Sequence, residues 1–232
     1  MKSRILLFVL LCANFCFAQT ANEVLANYSK EFAKPQYMNY STKYTLYKGY
    51  NSAEILESYT GNFKKNKQND VYMKAMNNEL MTNKKMSITV TNLERAIYIE
   101  NPRPYSAGDF DIKQLLPYFK IGAMEFKNGL YKISLISTPA SGFPYSKIEI
   151  FINKKYQLVE QVFYFSTAYN VQNKTGKSDT VYPKLVVKNT NYSYDPIPES
   201  VFKSEGYVKI SGNRITPLKH DYKLYDKREQ SK

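Results

Sequence analysis

The feature that most constrains this chain is an alternation of apolar and polar residues that repeats at every second position. Tyr40, Tyr44 and Leu46 alternate with polar residues between positions 38 and 48, and the same period returns through most of the sequence. A period of two places successive side chains on opposite faces of a strand, whereas a helix needs a period near 3.6. Clusters of Asn, Asp, Gly and Lys separate the runs and indicate turns. The pattern therefore predicts roughly ten antiparallel strands joined as a meander.

Two segments depart from this period and predict helices. The first is expected over residues 22–33, where four apolar residues recur at helical spacing: Val24, Leu25, Tyr28 and Phe32. The second is expected after Asp109, which is a good N-cap, and it carries Ile112, Leu115 and Leu116. The predicted class is α+β, mostly β: a curved antiparallel sheet that forms a half-barrel, with helices against its concave face.

The clearest strand pair is predicted between residues 147 and 166. On its first arm Ile148, Ile150 and Ile152 face one way, and a turn is expected near residues 153–155. The second arm is expected over residues 157–165. Because the period is two, a shift of one residue would move each predicted set of side chains to the opposite face.

The N-terminus is typical of a secretory signal peptide. Lys2 and Arg4 precede an unbroken apolar run over residues 5–11, and the small residues Cys16 and Ala18 fit the −3 and −1 positions of a cleavage site. Cleavage after Ala18 would leave residues 19–232 as one domain with a basic C-terminal tail from about residue 217. We therefore expect an exported, periplasmic protein.

Export has consequences for cysteine and for charge. Cys12 and Cys16 both lie in the predicted signal peptide, so the mature chain would contain no disulfide, thiol nucleophile or Cys-ligated metal. The 33 Lys and Arg exceed the 20 Asp and Glu, and loss of Lys2 and Arg4 would change the net charge from +13 to +11. This charge favours anionic surfaces such as a membrane, and export makes nucleic acid a poor partner.

Residue patterns for catalysis are few. His220 is the single histidine, and the sequence contains no phosphate-binding loop, dinucleotide motif or nucleophile elbow. Glu149 and Glu160 lie on the two arms of the predicted hairpin, so a carboxylate-based hydrolase remains an alternative. The preferred interpretation places both carboxylates outward, in ion pairs with lysines. We expect a non-enzymatic protein without metal or cofactor.

The order of the predicted elements resembles the LolA/LolB-like periplasmic lipoprotein-carrier superfamily. The resemblance rests on the N-terminal helix, the meander, and three segments: Asp-Ile-Lys-Gln-Leu-Leu-Pro at 111–117, Ile-Glu-Ile-Phe-Ile-Asn at 148–153 and Asn-Tyr-Ser-Tyr-Asp at 191–195. It covers residues 22–210 approximately. The resemblance implies a monomeric carrier that shields acyl chains of a lipid or acylated lipoprotein in an apolar concave cavity.

The residues predicted to line such a cavity are the alternating apolar ones: Tyr44, Leu46, Tyr59, Phe63, Met73, Ile88, Leu135, Ile150, Val162 and Tyr164. Each acyl methylene withdrawn from water contributes about 0.8 kcal/mol, so binding needs no chemistry. The alternative is a protein-docking or sensor module on the same scaffold, with a filled interior. A large cavity would favour the carrier, and a filled interior with an exposed apolar patch would favour the docking module.

Overall fold

The computed structural model describes residues 19–102, 115–139, 142–172, 176–212 and 214–228. The predicted signal peptide, residues 1–18, and nearly all of the predicted second helix lie outside these ranges. Within them the chain forms one α-helix and sixteen strands. The helix is α1 (Ala21–Ala33), and the strands are β1 (Met38–Tyr47), β2 (Ile55–Lys65), β3 (Val71–Ala75), β4 (Asn78–Thr82), β5 (Ser87–Thr91), β6 (Ala96–Glu100), β7 (Phe119–Lys127), β8 (Leu130–Ser137), β9 (Tyr145–Asn153), β10 (Leu158–Phe165), β11 (Tyr169–Gln172), β12 (Ser178–Val181), β13 (Lys184–Ser193), β14 (Val208–Ser211), β15 (Arg214–Pro217) and β16 (Lys223–Asp226).

Helix α1 begins at a capping box that the sequence encodes locally. The Thr20 hydroxyl accepts a hydrogen bond from the Glu23 N–H at 3.3 Å, and the Glu23 carboxylate accepts one from the Thr20 N–H at 2.8 Å. Both bonds satisfy N–H groups that the first helical turn leaves without partners. At the other end, the buried ammonium of Lys65 donates to the Phe32 carbonyl at 3.0 Å, and burial lowers its pKa. The helix predicted at this position is therefore confirmed.

Twelve strands form one open sheet, in the order β16-β6-β5-β4-β3-β2-β1-β13-β10-β9-β8-β7. All neighbours in it are antiparallel except β16 and β6, which run parallel. Strands β11 and β12 form a separate pair, as do β14 and β15. The predicted class, a mostly β protein with a curved antiparallel sheet, is confirmed.

The sheet bends where the sequence lacks a side chain or inserts an extra residue. A Cβ at Gly61 would lie 2.2 Å from the Lys74 carbonyl oxygen, so only glycine permits this approach of β2 to β3. The register also shifts between Ile121 and Met124 and between Leu158 and Glu160. Bulges of this kind increase local twist and curvature. The curved sheet consequently has a concave face and an outer face.

Two apolar clusters lie on opposite faces of this sheet. The first packs the buried residues of α1, among them Val24 and Phe32, against concave-face residues such as Ile133, Ile148 and Ile150. The second lies on the outer face of β4, β5 and β6, where the β14–β15 pair covers it and Leu224 of the edge strand β16 packs against it. Its buried members are Met81, Met86, Ile88, Val90, Ile97, Ile99 and Val208.

Two parts of the chain differ from the sequence prediction. Residues 77–79 are expected to be part of a turn, but Asn78 already begins β4. Met76 adopts a left-handed conformation, with φ of 54°, and the chain therefore reverses within two residues after β3. Residues 217–232 are expected to be a basic tail, but Lys223–Asp226 form β16 at one edge of the large sheet. Pairing with β6 orders this segment, which sequence periodicity alone does not indicate.

Candidate functional site

The concave face contains a cavity of about 440 Å³, which we call the inner cavity. Strands from both halves of the curve contribute to it, and α1 closes it on one side through Tyr28. Its lining is mostly apolar and aromatic, and none of the described lining residues is charged. The lining residues are Tyr28, Tyr40, Thr42, Tyr44, Phe63, Met73, Ala75, Leu115, Phe143, Tyr145, Ile148, Leu158, Gln161, Phe163, Leu185, Val187 and Asn189.

Strand register explains why these side chains meet. Tyr44 lies opposite Val187 of β13, Val187 lies opposite Gln161 of β10, and Gln161 lies opposite Ile150 of β9. Directly opposed residues in an antiparallel sheet point to the same face, so this row runs across the concave side. Neighbouring rows are built in the same way, for instance from Tyr40, Phe63 and Met73. The cavity thus arises from residues that are far apart in sequence.

A ladder of aromatic rings connects the sheet to α1 beside the cavity. Tyr40 lies between Tyr192 and Phe63, with ring centroids 4.8 Å away on each side. Phe63 continues to Phe32 at 5.9 Å, and Phe32 continues to Tyr28 at 6.0 Å. Ring pairs at such distances contribute favourably beyond the area they bury. The ladder therefore fixes the position of the helix against the cavity.

A second pocket of about 390 Å³, which we call the outer cleft, lies beside α1 and borders the inner cavity. The two spaces share Tyr28 and Leu158 as lining residues. The outer cleft is more polar, since Lys34 and Lys155 line it together with tyrosine hydroxyls. Its remaining lining residues are Glu31, Phe32, Pro35, Met38, Tyr156, Gln157, Tyr192 and Tyr194.

A short polar chain stabilises the wall that the two spaces share. The Thr42 hydroxyl donates to the Asn189 side-chain oxygen at 3.0 Å, and the Asn189 amide donates to the Leu158 carbonyl at 3.2 Å. The Tyr192 hydroxyl donates to the same carbonyl at 2.7 Å. Burial raises the pKa of Tyr192, so its hydroxyl remains protonated as a donor. These bonds tie β1, β13 and β10 together.

Three of the predicted site residues line the inner cavity: Tyr44, Phe63 and Met73. Leu135 and Ile150 lie on the same face but are fully buried in the first apolar cluster. Their side chains pack behind the residues that line the cavity.

Leu46 and Tyr59 also belong to the concave face but do not line the cavity. Leu46 lies opposite Leu185, and Tyr59 lies opposite Tyr44. Both are half-buried, and the Tyr59 hydroxyl donates to Glu57 at 2.6 Å. They extend the cavity's apolar row towards the end of the β1–β2 pair.

The structure places the other three predicted residues on the outer face. Val162 and Tyr164 alternate with the lining residues Gln161 and Phe163, and therefore point away from the cavity. Ile88 belongs to the second apolar cluster. For β10 the physical reason is the register shift after Leu158, which moves the inward set by one residue.

Sequence reasoning missed several lining residues that come from the middle of the sheet. Phe163, Leu185 and Val187 are apolar, but each lies in a run whose two faces both contain apolar residues. Gln161 and Asn189 are polar and so were not candidates for a buried surface. Knowledge that β13 pairs with both β1 and β10 would have identified these residues. The periodicity of a single strand does not show which strands pair.

The two carboxylates considered for hydrolysis lie on the outer face. Glu149 contacts Lys132 and Lys147, each at 3.1 Å, and accepts a hydrogen bond from Tyr164 at 2.9 Å. Burial of Glu149 raises its pKa, but these three partners outweigh burial and hold the pKa below its usual value. Glu160 pairs with Lys188 at 3.1 Å. The prediction that both point outward in lysine ion pairs is confirmed.

Two further features concern metal binding and membrane crossing. Within residues 19–102, 115–139, 142–172, 176–212 and 214–228, no group of three or more His, Cys, Asp and Glu side chains is placed to hold a metal ion. Across the same part of the chain, α1 and the other helical segments are too short or too polar to cross a bilayer.

Comparison with known proteins returns matches only at the level of structure. No family model matches the chain, and no curated protein matches it. An uncharacterized conserved protein from Thermus thermophilus aligns with a TM-score of 0.49 and 10% identity, over 90% of this chain and 99% of that one. A LolA superfamily protein from Nitrosomonas europaea aligns with a TM-score of 0.36 and 10% identity, over 82% of this chain and 100% of that one. LprF from Mycobacterium bovis aligns with a TM-score of 0.34 and 13% identity, over 76% of this chain and 94% of that one.

Proposed function

We propose that this protein binds a lipid or an acylated protein without chemical change, and shields the acyl chains in the inner cavity. The observation that carries the proposal is the cavity itself, about 440 Å³ with a lining free of charge among the described residues. This volume lies within the range of small-molecule sites, roughly 300–1,000 Å³. An ordinary protein core is close-packed and leaves few spaces larger than a water molecule.

The energetics favour a flexible hydrocarbon ligand. Each methylene that moves from water into the cavity contributes about 0.8 kcal/mol, so a chain of lipid length binds without a specific polar contact. Met73 suits such a site because its unbranched thioether side chain adapts to variable shapes. The aromatic side chains Phe63, Phe143 and Phe163 add large apolar surfaces to the wall.

The outer cleft provides a place for the polar part of the same ligand. It borders the inner cavity at Tyr28 and Leu158, and Lys34 and Lys155 line it. Lys34 already pairs with Glu31 at 2.5 Å, which leaves Lys155 as the better cation for an anionic headgroup. In this proposal the acyl chain occupies the inner cavity and the headgroup occupies the outer cleft.

The proposal includes the location of the protein. Residues 1–18 have the composition of a secretory signal peptide, so the mature chain would act in the periplasm. The proposal takes it to act there as a monomer. The excess of lysine would favour encounters with anionic membrane surfaces, from which a lipid is taken or to which it is delivered. No catalytic step is part of this function.

The test is native mass spectrometry with lipid extraction on residues 19–232, purified from the compartment where the protein works. We expect a co-purifying acylated species. Met73→Lys places a charge in the cavity at a half-buried position and should abolish this species. Ile136→Lys makes the same kind of change on the outer face, where the side chain is 43% exposed, and should leave it. Near-UV circular dichroism checks that both variants fold.

The opposite outcome is also informative. A bare polypeptide mass, with no uptake of added phospholipid or acylated peptide, would overturn lipid binding. In that case a protein-docking or sensor module would be the better explanation of the scaffold. Equal loss of lipid in Met73→Lys and Ile136→Lys would place the lipid outside the inner cavity.

A further inference from the structure

The inner cavity is lined by one residue, Gln161, whose buried hydrogen-bond donor has no acceptor within the described part of the chain. Gln161 is 5% exposed and lines the cavity from β10. Its side-chain nitrogen has no hydrogen-bond partner among the described residues. A buried donor without an acceptor destabilises a protein, and most buried donors have a partner. A ligand acceptor that entered the cavity beside Gln161 would satisfy this donor.

The nearby polar groups are already committed to each other. The Thr42 hydroxyl donates to Asn189, and Asn189 donates to the Leu158 carbonyl. That carbonyl also accepts from Tyr192. Directly across the strands, Gln161 faces the apolar side chains of Ile150 and Val187.

Along β10, Gln161 lies between two other residues that line the cavity, Leu158 and Phe163. Leu158, on one side of it, borders both the outer cleft and the inner cavity. Phe163, on the other side, belongs to the apolar wall, together with Leu185 directly opposite on β13. Gln161 therefore lies where the headgroup side of a bound lipid would meet its hydrocarbon side.

We propose that the Gln161 side-chain amide is a binding subsite for the carbonyl oxygen of an acyl ester or acyl amide. This inference rests on the proposed function and specifies its ligand class: an acylated molecule whose linkage contains a carbonyl, as opposed to a plain alkyl or ether lipid. The carbonyl oxygen accepts the hydrogen bond from the Gln161 nitrogen. The acyl chain extends along Phe163 and Leu185, and the remainder of the ligand extends past Leu158 to the outer cleft.

A neutral hydrogen-bond donor in an uncharged cavity favours an uncharged acceptor such as a carbonyl oxygen. No charged residue is found among the described lining residues, so a free carboxylate or phosphate would lose its hydration without gaining a counter-charge. An uncharged carbonyl has a smaller desolvation cost and needs only one donor. A purely hydrocarbon ligand would leave the Gln161 amide without an acceptor and would gain no hydrogen bond there.

The experiment compares three probes that share a twelve-carbon chain and a glycerol-like head. They are 1-dodecanoyl glycerol with an ester carbonyl, its isosteric amide N-dodecanoyl-3-amino-1,2-propanediol, and 1-O-dodecyl glycerol, an ether without a carbonyl. Binding of each probe to residues 19–232 is measured directly by isothermal titration calorimetry. The wild-type protein should bind the ester or the amide about tenfold more tightly than the ether, as expected for one buried hydrogen bond.

Two variants assign the preference to the amide. Gln161→Met keeps the length of the side chain and removes the donor, so ester and amide affinity should fall to the level of the ether. Because this change also removes a buried unpaired nitrogen, the fold should be retained, which thermal unfolding checks. Gln172→Met makes the same substitution at an exposed position of β11 and should leave the preference unchanged.

The outcomes separate this inference from the proposed function. Binding of all three probes with equal affinity by the wild-type protein would overturn the carbonyl subsite and leave lipid binding intact. A preference that survives in Gln161→Met would overturn the role of Gln161. A failure of all three probes to bind would overturn the proposed function, and this inference with it. A preference for only the ester or only the amide upholds the subsite and identifies the linkage.

Discussion

The two apolar clusters of this protein lie on opposite faces of one sheet and differ in how completely they are filled. The first, on the concave face, packs α1 over β8, β9 and β10 and leaves the inner cavity beside it. The second, on the outer face of β4, β5 and β6, is covered by β14–β15, and its members Met81 and Ile88 are fully buried. Both use the same alternation of side chains. One leaves a cavity beside it and the other is filled.

The difference lies in what covers each face. Val208 of the β14–β15 pair is buried in the second cluster and Ile215 packs against it, so this cluster is filled by side chains. A single helix covers only a stripe of a curved sheet, and the remaining concave surface stays open as the inner cavity. The inner cavity thus follows from incomplete coverage of a concave face.

The largest expected effect on stability comes from a substitution in the second cluster. Met81→Ala removes a fully buried side chain and should lower the free energy of unfolding by about 3 kcal/mol, because the well-packed surroundings leave a void. Urea unfolding measures the loss. Lipid uptake by the folded fraction should be unchanged. A loss of uptake proportional to the loss of stability would show that the two clusters are not independent.

An intermediate effect is expected on the outer face behind the cavity, where the buried carboxylate of Glu149 forms ion pairs. Glu149→Gln should lower the free energy of unfolding by about 2 kcal/mol at neutral pH, since Lys132 and Lys147 lose their shared partner. Against the effect of burial, the Lys132, Lys147 and Tyr164 partners hold the native pKa of Glu149 below its ordinary value. Its contribution is therefore complete above the ordinary pKa and is lost as the pH falls through the native one. Chemical unfolding of both proteins from pH 7 to pH 3 should show the difference shrinking. A difference that stays constant over this range would exclude ionisation of Glu149 as its cause.

The smallest expected effect on stability is at the cavity itself. Met73→Ala makes the same substitution as Met81→Ala, but at a half-buried position that lines open space. The free energy of unfolding should fall by about 1 kcal/mol or less, because little packing is lost. Affinity for dodecanoyl glycerol should fall several-fold, since one wall of the cavity recedes. The comparison fails if Met73→Ala is as destabilising as Met81→Ala.

Much of the fold could be predicted from local sequence patterns. The helical spacing of Tyr28 and Phe32, the end of α1 before Pro35 and the Ile148–Ile152 face of β9 all appear in the structure as expected. These features depend on residues within one element. Strand β4 was missed, because its start depends on a left-handed residue at Met76 that the sequence does not mark.

The candidate site was predicted less completely. Tyr44, Phe63 and Met73 line the inner cavity, but Val162 and Tyr164 face outward. In β10 both alternating sets contain apolar residues, so periodicity cannot choose between them, and the shift after Leu158 decides. Ile88 is buried as expected of an apolar strand residue, but the face it occupies is the outer one.

Sequence alone determined most of the strands and helix α1, because those choices depend on the spacing of apolar residues and on local caps; β4 and β16 are the exceptions. It also determined that both sides of several strands carry apolar residues. The tertiary structure decided which side each strand buries, since that depends on the elements that come to cover it and on bulges that shift the register. It alone also decided that Gln161, a polar residue by composition, lies in an apolar cavity, because strand pairing across distant parts of the chain sets its neighbours.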